Sequence, residues 1–158
     1  MTAWRPAVRS WARAVVLLCC LLGAAGAADA ACTVTVVAGV TFGTYDVFSP
    51  SPLDTTGYIS YHCDQGHNYT MRISLTRGSS ATYTARTLRF GTDALQYNIF
   101  LNPTRTLIWG DESEGTSVFT DSGLTLNRDN LPVYARMKAG QDARPGAYSD
   151  SVTVVIDF

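Results

Sequence analysis

The chain has 158 residues, twelve Lys and Arg against thirteen Asp and Glu, and a formal net charge of −1. A balance so near zero, with no basic cluster, argues against nucleic acid or an anionic membrane surface as partner. The same length holds one domain with a sizeable core and leaves little room for a second.

Residues 1–30 read as a secretory signal and not as part of the fold. Arg5, Arg9 and Arg13 supply a positive start, Ala14 to Leu22 an apolar stretch, and "GAAGAADA" a run of small residues. Ala28-Asp29-Ala30 fits the small-x-small cleavage rule, which places the mature start at Ala31. The apolar run is about ten residues, too short to remain across a bilayer. Cys19 and Cys20 lie inside it, neither preceded by the small residue that lipid attachment needs, and are expected to leave with the signal. Residues 31–158 then form a single domain of about 128 residues, with a net charge of about −3 and no membrane span.

Cys32 and Cys63 survive this processing. An even pair in an exported chain predicts one disulfide, two free buried thiols being the alternative. Closing a loop of about thirty residues would contribute about 3.5 kcal/mol on a chain-entropy basis.

Almost every later segment has strand character. "CTVTVV" sets Cys32, Val34 and Val36 on one face, and "GVTFGTYD" predicts a continuation after Gly39. "SPSPLDTTG" has the composition of a loop. "YISYHC" and "NYTMRISL", joined across the turn-rich "DQG" that starts at Asp64, predict a hairpin. "RGSSATYTAR" predicts a polar loop or edge, followed by the strands "LRF" and "LQYNIFL". The latter puts Leu95, Tyr97, Ile99 and Leu101 on one face with Gln96 and Asn98 opposite. "LIWGDESEGTSVFTDSG" predicts an acidic, glycine-rich excursion with short strand pieces. "PVYARMK" predicts a strand that begins at Pro132. After a Pro-Gly turn, Val152, Val154, Ile156 and Phe158 alternate with Ser151, Thr153 and Asp157, the period of a strand with one buried face. Six or seven short strands separated by turn signals predict an all-β, immunoglobulin-like antiparallel sandwich.

Few residue groupings suggest chemistry. His62, Cys63, Asp64 and His67 are close in sequence, but adjacent strand residues face opposite ways and zinc spacing is absent, so no metal is expected. Asp111, Glu112 and Glu114 supply oxygen ligands without a calcium-loop pattern and are expected to form a solvated loop. Trp109 is expected to fill the core or lie under that loop, a sugar-stacking role being the alternative. No nucleophile elbow, zinc-protease motif or phosphate loop occurs, so neither an enzyme nor a cofactor is expected. "NYT" at Asn68 matches a glycosylation acceptor only in a eukaryotic secretory path.

Taken together, "FGTYD" (Phe42 to Asp46), "PLDTTGYISYHC" (Pro52 to Cys63), "LQYNIFL", "WGD" (Trp109 to Asp111), "VYARMKAGQ" and "GAYSDSVTVVIDF" resemble the spore coat protein U domain family, over Cys32 to Phe158. That family includes subunits of archaic chaperone–usher pili. The resemblance implies an incomplete immunoglobulin-like sandwich without its last strand, to which a periplasmic chaperone, and then another pilus subunit delivered at an outer-membrane usher, supplies the missing one. On this reading the chain is an exported adhesive or biofilm-forming subunit, in transit through the periplasm to the cell surface. Val152, Val154, Ile156 and Phe158 would line the acceptor groove with Val34 and Val36, and a foreign strand would pair beside the last one. An ordinary edge strand of a complete sandwich is the other reading of this stretch. Rod-forming subunits also carry a donor segment before the first cysteine strand. Here Ala31 alone would precede Cys32, so the chain is expected to accept a strand and not to give one. A self-contained coat or matrix protein is the second functional expectation, a secreted hydrolase a remote third.

Overall fold

The computed structural model describes residues 32–63, 69–123 and 127–157. Residues 1–31, expected to hold the secretory signal, lie outside the described residues together with Asp64, His67, Asn68, Phe158 and the side chain of Val36.

Among the described residues eight strands follow in order: β1 (Cys32–Ala38), β2 (Leu53–Cys63), β3 (Tyr69–Leu75), β4 (Arg86–Phe90), β5 (Asp93–Phe100), β6 (Phe119–Gly123), β7 (Asn127–Met137) and β8 (Val154–Asp157). They form two antiparallel sheets, one ordered β1-β2-β7-β5-β4 and the other β6-β3-β8. Period-two alternation points one face of each sheet inward. Ile59, Tyr61 and Cys63 of β2, Leu95, Tyr97 and Ile99 of β5, and Leu131, Val133 and Met137 of β7 meet Met71, Ile73 and Leu75 of β3. Trp109 is fully buried in this core, and its indole Nε1–H donates to the Ile73 carbonyl at 2.8 Å. The molecule is therefore an all-β, two-sheet sandwich. Among the described residues no helix is long and apolar enough to cross a membrane.

Several expectations change. β2 and β3 belong to different sheets, so "YISYHC" and "NYTMRISL" form no hairpin. The "LDTTG" stretch is not a loop. It opens β2 and pairs with β7 from Leu53↔Met137 to Gly57↔Val133. β7 likewise starts at Asn127, which puts Pro132 inside it, opposite Tyr58 in a stretch where β2 is its partner. Asn130, at φ 63°, sits where that ladder slips, and its N–H donates to the Ser60 hydroxyl at 3.2 Å. Such a bulge leaves one residue unpaired and tightens the local twist.

"GVTFGTYD" forms no strand. Its backbone runs irregularly, with the Thr41 carbonyl accepting from the Thr55 hydroxyl at 2.9 Å and Gly43 at φ 72°. Asn98, placed opposite the apolar face of β5, is nonetheless buried, its amide donating to the Tyr83 carbonyl at 2.8 Å. The last strand starts at Val154, two residues later than its alternation suggests.

Candidate functional site

β8 is an edge strand. Among the described residues it pairs with β3 alone, from Arg72↔Asp157 to Leu75↔Val154. The Thr76 N–H donates to the Thr153 carbonyl at 3.0 Å in the same register. Since successive residues of an antiparallel strand present their N–H and C=O to opposite sides, Thr153, Val155 and Asp157 face β3. The peptide groups of Val152, Val154 and Ile156 face outward along the open edge. These same three residues turn their side chains inward yet stay only half-buried, whereas Met71, Ile73 and Leu75 on the neighbouring strand are 0–3% exposed. Free hydrogen-bonding groups and incompletely covered apolar groups thus occur on the same residues.

Beside them lies a cavity of about 290 Å³. Ile59, Leu75, Ile99 and Val133 form its floor, Val152 and Val154 one wall, and Ala38 to Val40 with Phe42 the other. A larger hollow of about 880 Å³ adjoins it, between Val40–Phe48 and Ala143–Asp150. The two share Val40, Phe42, Leu88 and Asp150 in their linings and together make up the cleft.

Both walls are tied to the sandwich. The Phe42 ring meets Tyr97 edge-on at 5.8 Å between centroids. The Tyr45 hydroxyl donates to the Lys138 carbonyl at 2.9 Å and accepts from the Gln141 N–H at 2.9 Å. Gln141 in turn accepts from the Gln96 N–H at 2.6 Å and donates back to the Gln96 carbonyl at 3.0 Å. On the other wall, the Asp150 carboxylate accepts from the Tyr97 hydroxyl at 2.8 Å and from the Ser79 N–H at 2.9 Å. Burial, reinforced by Asp150, pushes the Tyr97 hydroxyl well above the ordinary phenol range. Five of the six stretches quoted above, those holding Phe42 and Tyr45, Ile59, Tyr97 and Ile99, Val133 and Met137, and Asp150 to Val154, therefore contribute to this cleft.

Cys32 and Cys63 form a disulfide, directly opposite one another across β1 and β2. Val34, 37% exposed, stands opposite Tyr61 and does not line the cavity; Ala38, Gly39, Val40 and Phe42 do so on this side. In the sequence this wall is marked only by the alternation of Val40 and Phe42, which reads as a strand continuing after Gly39. His62 is exposed on β2, away from its disulfide-bonded neighbour. The acidic loop is internally engaged: Glu112 pairs with Arg72, Glu114 accepts from the Tyr83 N–H at 2.9 Å, and Asp111 accepts from the Ser113 N–H at 3.0 Å. Among the described residues no group of three or more metal-ligating side chains comes together.

The sequence pattern of the Spore Coat Protein U domain matches residues 20–155. Protein U of Myxococcus xanthus is 30% identical over 142 residues, covering 81% of this chain and 78% of that protein. Among solved structures, the fold resembles a chain in the chaperone–tip adhesion subunit pre-assembly complex from archaic chaperone-usher Csu pili of Acinetobacter baumannii, at a TM-score of 0.52 and 23% identity. That match covers 82% of this chain and 40% of the other, and it supports the sandwich architecture. Matched over most of its length, and with a relative this similar, the chain belongs to the Spore Coat Protein U domain family.

Proposed function

We propose that this protein is an exported, non-enzymatic subunit of a surface fibre of the chaperone–usher kind, and that its cleft receives a β-strand from another chain. A periplasmic chaperone would supply that strand first, and another subunit would replace it at an outer-membrane usher. One observation carries the reading: among the described residues Val152, Val154 and Ile156 combine unpaired peptide groups with half-covered side chains, and Val152 and Val154 stand over a cleft floored by core residues. Strand addition satisfies both at once, with backbone bonds giving affinity and alternate side chains giving register. Burying three or four such side chains at about 1.5–3 kcal/mol each gives a gross gain of about 5–12 kcal/mol. That is on the scale of a whole domain's stability.

The proposed slot runs on beyond the cavity. β8 reaches Asp157 opposite Arg72, next to Met71, whose sulfur lies 3.8 Å from that of Cys63. The first residues of β1 lie at this end too, through the Cys32–Cys63 bridge. Val34 therefore belongs to the proposal as the far end of the acceptor and Val152 and Val154 as its near end, and Val36 and Phe158 are proposed with them from their places in the sequence pattern.

The test is thermal unfolding of the purified chain with and without a synthetic peptide of about ten residues that alternates Val or Ile with Ser, Thr or Lys. A rise in Tm that saturates with peptide is expected. An unchanged Tm at saturating peptide would refute strand acceptance. The family relationship to Protein U supports a second reading, a coat protein of self-sufficient fold, and that reading expects the unchanged Tm.

A further inference from the structure

Arg86 is fully buried, and no carboxylate pairs with it among the described ion pairs. A guanidinium taken out of water is costly unless its donors are all used. Here Nη1 donates to Asn98 Oδ1 at 2.9 Å, while Nη2 donates to the Trp109 carbonyl at 2.8 Å and the Thr76 carbonyl at 2.9 Å. Nε also reaches the Thr76 carbonyl, at 3.3 Å. An apolar side chain of similar volume would fill the same space without the desolvation cost. What it could not do is occupy the Thr76 carbonyl.

That carbonyl lies where the β3–β8 ladder stops. Thr76 and Thr153 stand in register, and an antiparallel pair of this kind normally exchanges two backbone bonds. One is present, from the Thr76 N–H to the Thr153 carbonyl. The other is replaced: Arg86 holds the Thr76 carbonyl, and the Thr153 N–H donates to the Thr76 hydroxyl at 2.9 Å. Four residues earlier the chain has left β3 altogether, and Ser149 exchanges bonds with Arg89 of β4 at 2.8 and 3.1 Å. Between these points Asp150 is held by Tyr97. Tyr97 is the direct cross-strand partner of Arg86, so the two project across the sandwich side by side.

We infer that Arg86 and Tyr97 act as a pair of positioning residues that fix where the acceptor edge begins, Arg86 by ending the β3–β8 ladder at Thr76 and Tyr97 by anchoring Asp150. The inference rests on the strand-acceptor reading for its purpose but not for its geometry. The near end of the edge, Asp150 to Thr153, is held from the opposite sheet before any partner arrives. An incoming strand meets Val152 and Val154 already placed and loses less freedom in ordering them.

Amide hydrogen exchange on the purified chain tests this residue by residue. Arg86→Met risks failing to fold, so Thr76→Val, near-isosteric and lacking the hydroxyl, is the informative variant, with Thr76→Ser as rescue. Thr76→Val is expected to speed exchange at Thr153 about fivefold, the worth of one hydrogen bond, with Ala135 in β7 unchanged and Thr76→Ser at the wild-type rate. Tyr97→Phe is expected to do the same at Ser79, whose N–H donates to Asp150. Thr153 exchanging at the wild-type rate in Thr76→Val, or moving together with Ala135, overturns the inference. The alternating peptide supplies a second readout: its affinity should fall about fivefold in Thr76→Val and return in Thr76→Ser. A peptide that fails to bind the wild-type chain removes the acceptor reading, while the exchange pattern still decides the role of the pair.

Discussion

A Cβ on Gly57 would stand 2.5 Å from the Ala38 carbonyl oxygen, with the Gly39 backbone next at 3.2 Å. The missing side chain is what lets the end of β1 cross over β2 and deliver Gly39 to Phe42 to the cleft. Gly57→Ala should cost about 1–3 kcal/mol in urea unfolding and weaken peptide capture, since relief of the clash displaces a wall. Tyr61 gives a pH test. Its hydroxyl donates to Asp121 at 2.6 Å, and burial followed by that hydrogen bond pushes its pKa up to about 12. A free tyrosine titrates near 10, so the unfolded chain loses this proton first. The contribution is complete below about pH 10 and is lost as pH rises towards 12. Unfolding midpoints followed over that range should fall, and fall less steeply in Tyr61→Phe, which should also lose about 1 kcal/mol at neutral pH. Tyr97, held up by burial and Asp150, adds a loss of the same sign at high pH. Composition concealed Gly57: Pro, Thr and Gly around it have the look of a turn, and only pairing to β7 makes them a strand.

At the level of elements, β8 offers the sharpest contrast. Val154→Asp would place a charge on the cleft wall and should abolish peptide capture, with no Tm rise on titration. Arg136→Ala should leave capture intact. Arg136 makes a two-pronged pair with Asp54 at 2.7 and 2.8 Å on an exposed face, and such pairs are worth at most about 1 kcal/mol. The inward faces of β3, β5 and β7 were readable because alternation is local, and the burial of Met71, Ile73, Leu95, Tyr97, Ile99, Val133 and Met137 follows it. Which sheet a strand joins is not local. "YISYHC" and "NYTMRISL" have the pattern of a hairpin, yet their partners are β7 and β1 for the one, β6 and β8 for the other. The start of β8 was hidden for the same reason, because it is set by Arg86, more than sixty residues earlier in the chain. A lone arginine ahead of "TLRF" carries no sign that it is buried.

For the whole molecule, the four outer strands differ in how they are protected. The rim of β4 is partly covered by the chain's own Ser149 through the paired bonds with Arg89. The open side of β8 has no such cover among the described residues, and Val155 on its outer face is 39% exposed. An uncovered apolar edge on a nearly neutral chain favours self-association. Sedimentation of the purified chain should therefore shift to larger species as concentration rises, and saturating alternating peptide should reverse the shift. A monomer at every concentration, with or without peptide, would count against β8 as a sticky edge.

The bridge between Cys32 and Cys63 bolts β1 at its very first residue. Under heat or a pulling force this strand cannot peel from the bolted tip; it has to come loose from Ala38 and travel backwards. Loosening is thereby steered to the mouth where a newcomer would thread in, and the opposite tip stays shut as a fixed stop.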